Sequence, residues 1–255
     1  MLKVENLTKI FRGLRAVSDV SFEIKEGGIS GMIGPNGAGK TTTFNMISGA
    51  FKPTSGRITY RGKDITDLPP HKYTNEGIAR TFQIMKPLAN MTVLDNVISG
   101  AFFGRNENLG YDHARKQALE MLEFTRLVDK KDFLAKELGT PDKKRLELAR
   151  ALVTKPDLIL LDEVMAGLNP TETDEAMELI RAVNRSGVTI FMIEHVMRAV
   201  FDLCAEIVVL HHGEKISFGT PHEVINDPMV IDVYLGKDDD HGVVNLGKDD
   251  DHGVS

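Results

Sequence analysis

The sequence predicts an α/β fold in which helices cover a largely parallel sheet. Short strand-like runs alternate with stretches of helical pattern, and this alternation is typical of such folds. Two of the runs, Leu158–Asp162 and 188–194, are almost continuously apolar before they end in acidic residues. Strands that are buried on both faces have this composition, and their carboxyl ends form ligand sites. The strand-like runs are 21–24, 29–33, 158–161, 188–193 and 207–210, and helical patterns begin after Lys40, Lys143 and Thr171.

A change of pattern within the chain predicts a second, helical unit. From about residue 84 the strand-like runs give way to helical patterns at 112–128 and 143–154. The first of these carries apolar residues at the spacing of one buried helix face: Ala114, Ala118, Met121 and Leu122. We therefore expect a helical subdomain at roughly 87–155, inserted in the α/β core of a single domain that spans residues 1–235, followed by an acidic repeated tail at 236–255.

Composition limits the class of protein. The chain has 255 residues, of which 42% are hydrophobic, so it can bury a full core. Cys204 is its one cysteine, which excludes a disulfide framework within one copy and fits a reducing compartment. No apolar run approaches the roughly 18 residues of a spanning helix, and the first residues lack the apolar segment of a secretory signal. A net charge of −6 argues against a surface devoted to nucleic acid.

The tail repeats itself at an offset of eleven residues. LGKDDDHGVVN begins at Leu235, and LGKDDDHGVS begins at Leu246. The Asp and His residues could suggest metal ligands, but three adjacent acids beside Lys and Gly are more often a solvated, mobile chain end. No function is inferred from the tail.

Residues 34–41, GPNGAGKT, match the phosphate-binding pattern G-x-x-x-x-G-K-[ST] between an apolar strand and a helix. The glycines let backbone N–H groups turn onto phosphate oxygens, and the helix places its positive end there. Lys40 is expected to reach the β and γ phosphates, and the Thr41 hydroxyl to hold Mg²⁺. The predicted nucleotide-binding residues of this loop are Gly34, Pro35, Asn36, Gly37, Ala38, Gly39, Lys40, Thr41 and Thr42.

A second apolar strand, LILLDE, ends in Asp162 and Glu163. An acidic pair at a strand end is common and weak evidence by itself. Together with the phosphate-binding loop, it predicts that Asp162 holds the Mg²⁺ shell and that Glu163 orients or deprotonates the attacking water.

From residue 1 to about 235, the sequence resembles the ABC ATPases, because further elements occur in that family's order. Phe11 matches the aromatic residue that stacks on adenine, Gln83 in TFQ the Q-loop, and His195 in IEHVM the switch histidine. Seen alone, Phe11 could pack in the core, Gln83 could be a surface residue, and His195 could be structural. The resemblance implies that Gln83 senses Mg²⁺ and water near the membrane partner, and that His195 hydrogen-bonds the γ-phosphate. It makes Glu163, His195 and Gln83 the catalytic set, and Thr41, Gln83 and Asp162 the metal set.

The chain departs from the family's signature, commonly LSGGQ. Residues 138–142 read LGTPD, so Gly139 replaces the serine and Pro141 removes a backbone donor. Asp142 brings negative charge towards a polyphosphate, with Lys143 and Lys144 expected to offset it. The signature is therefore predicted to be weakened, which favours a heterodimer with a second ABC ATPase subunit; a homodimer is the alternative.

Within the family, AGLNPTE at 166–172, together with GIARTFQ, GTPHEV and VYLG, resembles the branched-chain amino-acid importer ATPases of the LivG type. Val164 and Val196 depart from that pattern, which more often has a proline and an acid there. The resemblance implies ATP and Mg²⁺ as cofactors, integral-membrane permease subunits and indirectly a solute-binding protein as partners, and a place on the cytoplasmic face of the membrane.

The sequence argues against two other classes of function and leaves a third open. A soluble kinase or GTPase does not explain Gln83 and His195 in sequence, and the chain has no N-K-x-D tetrapeptide. Non-transport ABC proteins usually carry two cassettes, long coiled coils or zinc cysteines. An exporter ATPase such as the lipopolysaccharide type shares fold and mechanism, and it remains the main alternative.

Overall fold

A computed structural model describes residues 1–81, 87–104 and 109–235. Its first sheet is antiparallel with strand order β2-β1-β4-β5. The strands are β1 (Leu2–Phe11), β2 (Leu14–Ile24), β4 (Ser55–Tyr60) and β5 (Lys63–Asp64). The sequence reading predicted parts of β2 but not this separate sheet, whose partly exposed strands lack the continuous apolar runs of buried parallel strands.

The second sheet carries the predicted parallel strands in the order β10-β9-β3-β8-β7-β6. Strands β9, β3, β8, β7 and β6 run parallel, and β10 pairs antiparallel at the edge. Every residue of β3, β7 and β8 is buried, which confirms the reading of their apolar runs. The strands are β3 (Ile29–Ile33), β6 (Ile78–Arg80), β7 (Leu158–Asp162), β8 (Thr189–Ile193), β9 (Glu206–His211) and β10 (Glu214–Gly219).

Helices cover this sheet, as the predicted α/β class requires. Several begin with a proline in the first turn, where the missing N–H costs no intrahelical bond. The helices are α1 (Lys40–Ile47), α2 (Pro70–Glu76), α3 (Val93–Ala101), α4 (Tyr111–Phe124), α5 (Thr140–Leu152), α6 (Pro170–Arg185), α7 (Met197–Leu203), α8 (Pro221–Ile225) and α9 (Pro228–Leu235), with 3₁₀ turns at Val128–Lys130 and Ala135–Glu137. Within the described ranges, no helix is long and apolar enough to cross a bilayer.

Alternation along the parallel strands separates two hydrophobic layers. Leu160 of β7 packs with Phe44 and Phe191 between the two sheets, whereas Ile159 and Leu161 face the layer under α6 and α7. Helices α3, α4 and α5 enclose a third cluster around the buried Leu122, and three of the four residues predicted for the α4 face are buried in it. The subdomain boundaries at 87 and 155 stay a prediction, and the tail at 236–255 lies outside the described residues.

Two predicted helix bounds differ from the structure by about one helical turn. Helix α5 begins at Thr140 rather than after Lys143, because Pro141 is compatible with a first helical turn. Helix α4 ends at Phe124 rather than at residue 128, since Arg126 adopts a left-handed conformation with φ of 59° and closes the helix.

Candidate nucleotide site

The predicted phosphate-binding loop connects β3 to α1. A Cβ at Gly34 would lie 2.1 Å from the carbonyl oxygen of Leu210, so a larger residue cannot occupy this position. Gly39 has a φ of 99° and caps α1 in the left-handed region, where a Cβ would lie 2.7 Å from the Ala16 carbonyl oxygen. The loop is therefore held close to neighbouring backbone and leads directly into a helix N-terminus, where N–H groups attract anions.

Lys40 lies under this loop and is 5% exposed. Its Nζ donates to the carbonyl oxygens of Gly34 at 2.7 Å and Pro35 at 3.0 Å. Burial lowers the pKa of the Lys40 ammonium group, and the carboxylates of Glu163 and Asp162 oppose that shift. The ammonium group is thus held under the loop close to two acidic groups, and its predicted contact with the β and γ phosphates stays a prediction.

A cavity of about 260 Å³ brings most of the predicted site together. The helix N-terminus forms one wall, and the predicted catalytic groups Glu163 and His195 form another. The residues that line it are Ala16, Asn36, Gly37, Ala38, Gly39, Lys40, Thr41, Thr42, Glu163 and His195.

Asp162 ends β7 and is 2% exposed. Its Oδ2 accepts a hydrogen bond from Arg80 Nη2 at 2.7 Å. Its Oδ1 is buried and has no hydrogen-bond partner in the described part of the chain. A buried carboxylate oxygen without a donor suits a hard cation such as Mg²⁺, which binds oxygen ligands, so Asp162 and the Thr41 hydroxyl fit a magnesium site.

Glu163 and His195 are in direct contact. His195 Nε2 lies 2.7 Å from Glu163 Oε1. Glu163 has a φ of 52°, a left-handed conformation that is rare for this residue type, and its N–H donates to the Ile193 carbonyl oxygen at 2.9 Å. Strained backbone of this kind is concentrated at functional sites, where the surrounding structure holds it in place.

Phe11 lies at the end of β1 with 38% of its surface exposed, so it is not a fully buried core residue. Its ring packs edge-on against Phe51 with centroids 5.6 Å apart, and Lys9 Nζ lies 5.1 Å from the ring centroid. Phe11 does not line the cavity described above. Its stacking on adenine stays a prediction.

Gln83 lies outside the described residues, so its predicted role is also untested.

The signature segment differs from expectation in its charges. Asp142, in the first turn of α5, forms ion pairs with Lys130 and Arg145. The prediction that Lys144 offsets Asp142 is therefore corrected, because Lys144 donates instead to the carbonyl oxygens of Glu163 and Ala166. An offset by Lys143 stays a prediction. Lys130 lies 12 residues away in sequence, so spacing alone could not identify it as the partner of Asp142.

Sequence reasoning missed several residues that support the site. Arg80 lies in the GIARTFQ stretch, which the sequence analysis linked only to the LivG type. The sequence separation of Arg80 and Asp162 gave no sign that the two side chains pair. Glu194 was seen as the acidic end of a strand, but its side chain is 2% exposed and accepts from the Met165 N–H at 2.8 Å. The position of Glu194, between a buried strand and the predicted His195, was the sequence feature that could have indicated its role.

A comparison with known families assigns the chain that carries the loop, the acidic strand end and the histidine to a family. The model for the family described as ABC transporter matches residues 17–166, more than half of the 255-residue chain. The chain belongs to the ABC transporter ATPase family. A second model, described as Branched-chain amino acid ATP-binding cassette transporter, matches residues 214–240, which begin with β10 and include α8 and α9.

Similar proteins support the same assignment. The "High-affinity branched-chain amino acid transport ATP-binding protein LivG" of Salmonella typhimurium is 40% identical over 250 residues, covering 93% of this chain and 98% of that protein. The "Lipopolysaccharide export system ATP-binding protein LptB" of Haemophilus influenzae is 35% identical over 237 residues, with the same coverage. The solved ADP conformation of the ATP-binding cassette MJ1267 aligns with a TM-score of 0.83 at 32% identity, covering 93% of this chain and 99% of that one.

Family membership makes this ABC ATPase a nucleotide-binding enzyme whose hydrolysis is coupled to transport, and a subunit that works with membrane permeases. The structure places Lys40, Glu163 and His195 at one cavity, which is the grouping that this chemistry requires.

Proposed function

We propose that the chain is the ATP-hydrolysing subunit of an importer of branched-chain amino acids, bound to permease subunits on the cytoplasmic face of the membrane. The observation that carries the solute class is the match of residues 214–240 to the C-terminal family model of such transporters. The 40% identity to a LivG protein over nearly the full length of both chains supports it.

The chain's own groups account for hydrolysis. The Glu163 carboxylate accepts a proton from a water molecule as the water oxygen attacks the γ-phosphorus, and the bond to the bridging oxygen breaks to leave ADP. His195, in contact with Glu163, keeps that carboxylate oriented. Lys40 and the N–H groups at the start of α1 stabilise charge on the phosphate oxygens. Bound Mg²⁺, for which Asp162, Thr41 and Gln83 are the proposed ligands, would neutralise further phosphate charge.

A groove of about 350 Å³ is the proposed contact for the permease. It lies between α2 on one side and α3 and α5 on the other, and Phe103 at its rim is 75% exposed. Arg80 lines the same groove and donates to Asp162, so a segment seated there is one side chain away from the proposed metal ligand. This arrangement gives a direct route from permease movement to the nucleotide site.

The working unit we propose is a heterodimer with a second ABC ATPase subunit. Gly139 offers no hydroxyl, and Pro141 offers no N–H, at the segment that would meet the partner's nucleotide. The ATPase activity of the purified chain should be measured alone, with the paired subunit, and with that subunit's signature serine changed. We expect slow hydrolysis alone, stimulation by the pair and loss after the serine change, whereas robust cooperative hydrolysis by this chain alone contradicts the heterodimer.

The solute class is tested by reconstitution. The chain, its paired ATPase and the permease subunits with which it co-purifies are placed in proteoliposomes with the cognate solute-binding protein. We expect ATP-dependent leucine uptake that disappears with Glu163→Gln. If lipopolysaccharide instead stimulates hydrolysis and leucine does not, the exporter alternative is correct and the importer proposal is wrong.

A further inference from the structure

The backbone turn that follows the proposed catalytic carboxylate is held by two ionisable side chains from other elements. The turn comprises residues 163–166 and begins with the left-handed Glu163. One hydrogen bond closes it internally, from Ala166 N–H to the Glu163 carbonyl oxygen at 3.3 Å, which is long. Its geometry therefore depends on contacts from outside the turn.

Lys144 supplies the first of these contacts. It lies one turn into α5, and its Nζ donates to the carbonyl oxygen of Ala166 at 2.5 Å and to that of Glu163 at 3.4 Å. A single ammonium group thus connects both ends of the turn. Burial lowers the pKa of Lys144, whereas the carboxyl groups of Glu194, Glu147 and Glu163 oppose this shift because they favour the charged ammonium form.

Glu194 supplies the second contact, from the end of β8. Its Oε1 accepts from the N–H of Met165, in the middle of the turn, at 2.8 Å. The side chain is 98% buried, since its exposed fraction is 2%. A hydrogen bond in such low-dielectric surroundings is strong, and removing the acceptor would leave a buried amide without a partner. Glu194 also precedes His195, so one strand end holds both the turn and the histidine that contacts Glu163.

We propose that Lys144 and Glu194 are positioning residues, which fix the turn at 163–166 so that the Glu163 carboxylate faces the attacking water. This inference rests on the proposed function, in which Glu163 activates that water. Lys144 belongs to the helix whose first turn is the signature segment, so α5 is joined to the chain's own catalytic carboxylate. A displacement of α5 relative to β7 would pull on Ala166 and Glu163 together.

The expected consequence is a loss of turnover without a loss of nucleotide binding. Misplacing a reacting group by about 1 Å costs up to about a hundredfold in rate. In the described part of the chain, neither the Lys144 side chain nor the Glu194 side chain hydrogen-bonds the phosphate-binding loop. Substitution of either residue should therefore lower kcat while leaving KM and the Kd for ATP near their wild-type values.

The test uses the reconstituted complex and matched substitutions. Lys144→Met removes the ammonium group, and Lys116→Met is its control, because Lys116 is an exposed lysine on α4. Glu194→Leu removes the acceptor at similar volume, and Glu194→Gln keeps an oxygen for the Met165 N–H. ATPase kcat and KM, ATP binding by titration, and thermal unfolding are measured for each.

We expect Lys144→Met and Glu194→Leu to reduce kcat about tenfold or more with ATP affinity within twofold, and Glu194→Gln and Lys116→Met to keep most of the turnover. Wild-type kcat in folded Lys144→Met and Glu194→Leu, while Glu163→Gln is inactive, would overturn this inference and leave the proposed function intact. Wild-type turnover by Glu163→Gln would instead overturn the proposed function. If Glu194→Leu fails to fold, the test rests on folded Glu194→Gln compared with the control Lys116→Met. An equal loss of turnover in these two variants would also count against a positioning role.

Discussion

Arg80 Nη2 donates to Asp162 Oδ2 at 2.7 Å in an ion pair whose side chains are 8% and 1% exposed. Arg80 Nη1 also donates to Asn45 Oδ1 and Ser48 Oγ, so the guanidinium bridges α1 and β7. One oxygen of Asp162 is thereby occupied, and the other is left for a cation. The same arginine lines the groove proposed for the permease.

Replacing Arg80 by methionine should destabilise the protein. The change leaves the Asp162 charge buried without its guanidinium partner, and breaking a buried pair in this way costs about 3 to 5 kcal/mol. Urea denaturation of the isolated chain gives the free energy of unfolding. Arg115→Met, at an exposed position on α4, is the control and should be nearly neutral. Equal midpoints for the two variants would contradict the importance of the Arg80 pair.

Glu163→Gln should bind ATP and Mg²⁺ but lose most turnover. The amide keeps the shape of the side chain and removes the carboxylate that accepts the proton of water. Binding by titration and steady-state hydrolysis with the cognate partners separate the two effects. Hydrolysis near the wild-type rate would refute the assignment of Glu163 as the catalytic carboxylate.

Phe11→Ala should weaken ATP binding by about 1 to 3 kcal/mol if the ring stacks on adenine, on the scale of base stacking in single strands. Phe218→Ala is a matched control: Phe11 and Phe218 are 38% and 39% exposed, and Lys215 lies over the Phe218 ring as Lys9 lies over Phe11. An unchanged ATP affinity with a lowered melting temperature in Phe11→Ala would show a packing role instead.

Glu194 predicts a pH dependence of stability. Burial is the main cause that raises the pKa of its carboxyl group from 4.5 to about 7 in the folded protein. The folded state therefore holds this proton more tightly than the unfolded state, and the resulting stability is present below pH 4.5 and is lost as the pH rises through 7. Glu194→Gln lacks this dependence. Its free energy of unfolding relative to wild type should rise by on the order of 3 kcal/mol across this interval.

The measurement is urea denaturation of both proteins at a series of pH values. Glu120→Gln, an exposed position on α4, serves as the control for removing one carboxylate. A relative stability of Glu194→Gln that does not change with pH would show that the carboxyl group titrates at its ordinary pKa.

Local sequence patterns predicted an element correctly where all the residues that form it are contiguous in the chain. The strand–loop–helix arrangement around residues 34–41 was predicted correctly because the glycines, the preceding buried strand and the following helix are all contiguous in sequence. The same holds for β7 and β8, whose continuous apolar runs are typical of strands covered on both faces. By contrast, α5 begins at Thr140, one turn before the predicted start after Lys143, and Pro141 lies in its first turn.

The sequence by itself determined the α/β class and the strand–loop–helix arrangement around residues 34–41, and it supplied the acidic and histidine groups proposed for the site. Only the tertiary structure decided that Arg80 pairs with Asp162, 82 residues away, and that Lys144 and Glu194 meet at the turn after Glu163. The physical reason is that a motif records neighbours along the chain, whereas a side-chain contact depends on how strands and helices are arranged in space. Parallel strand order brings β7 beside β8 and carries their acidic ends to one edge, and no local spacing specifies which distant cation will reach them.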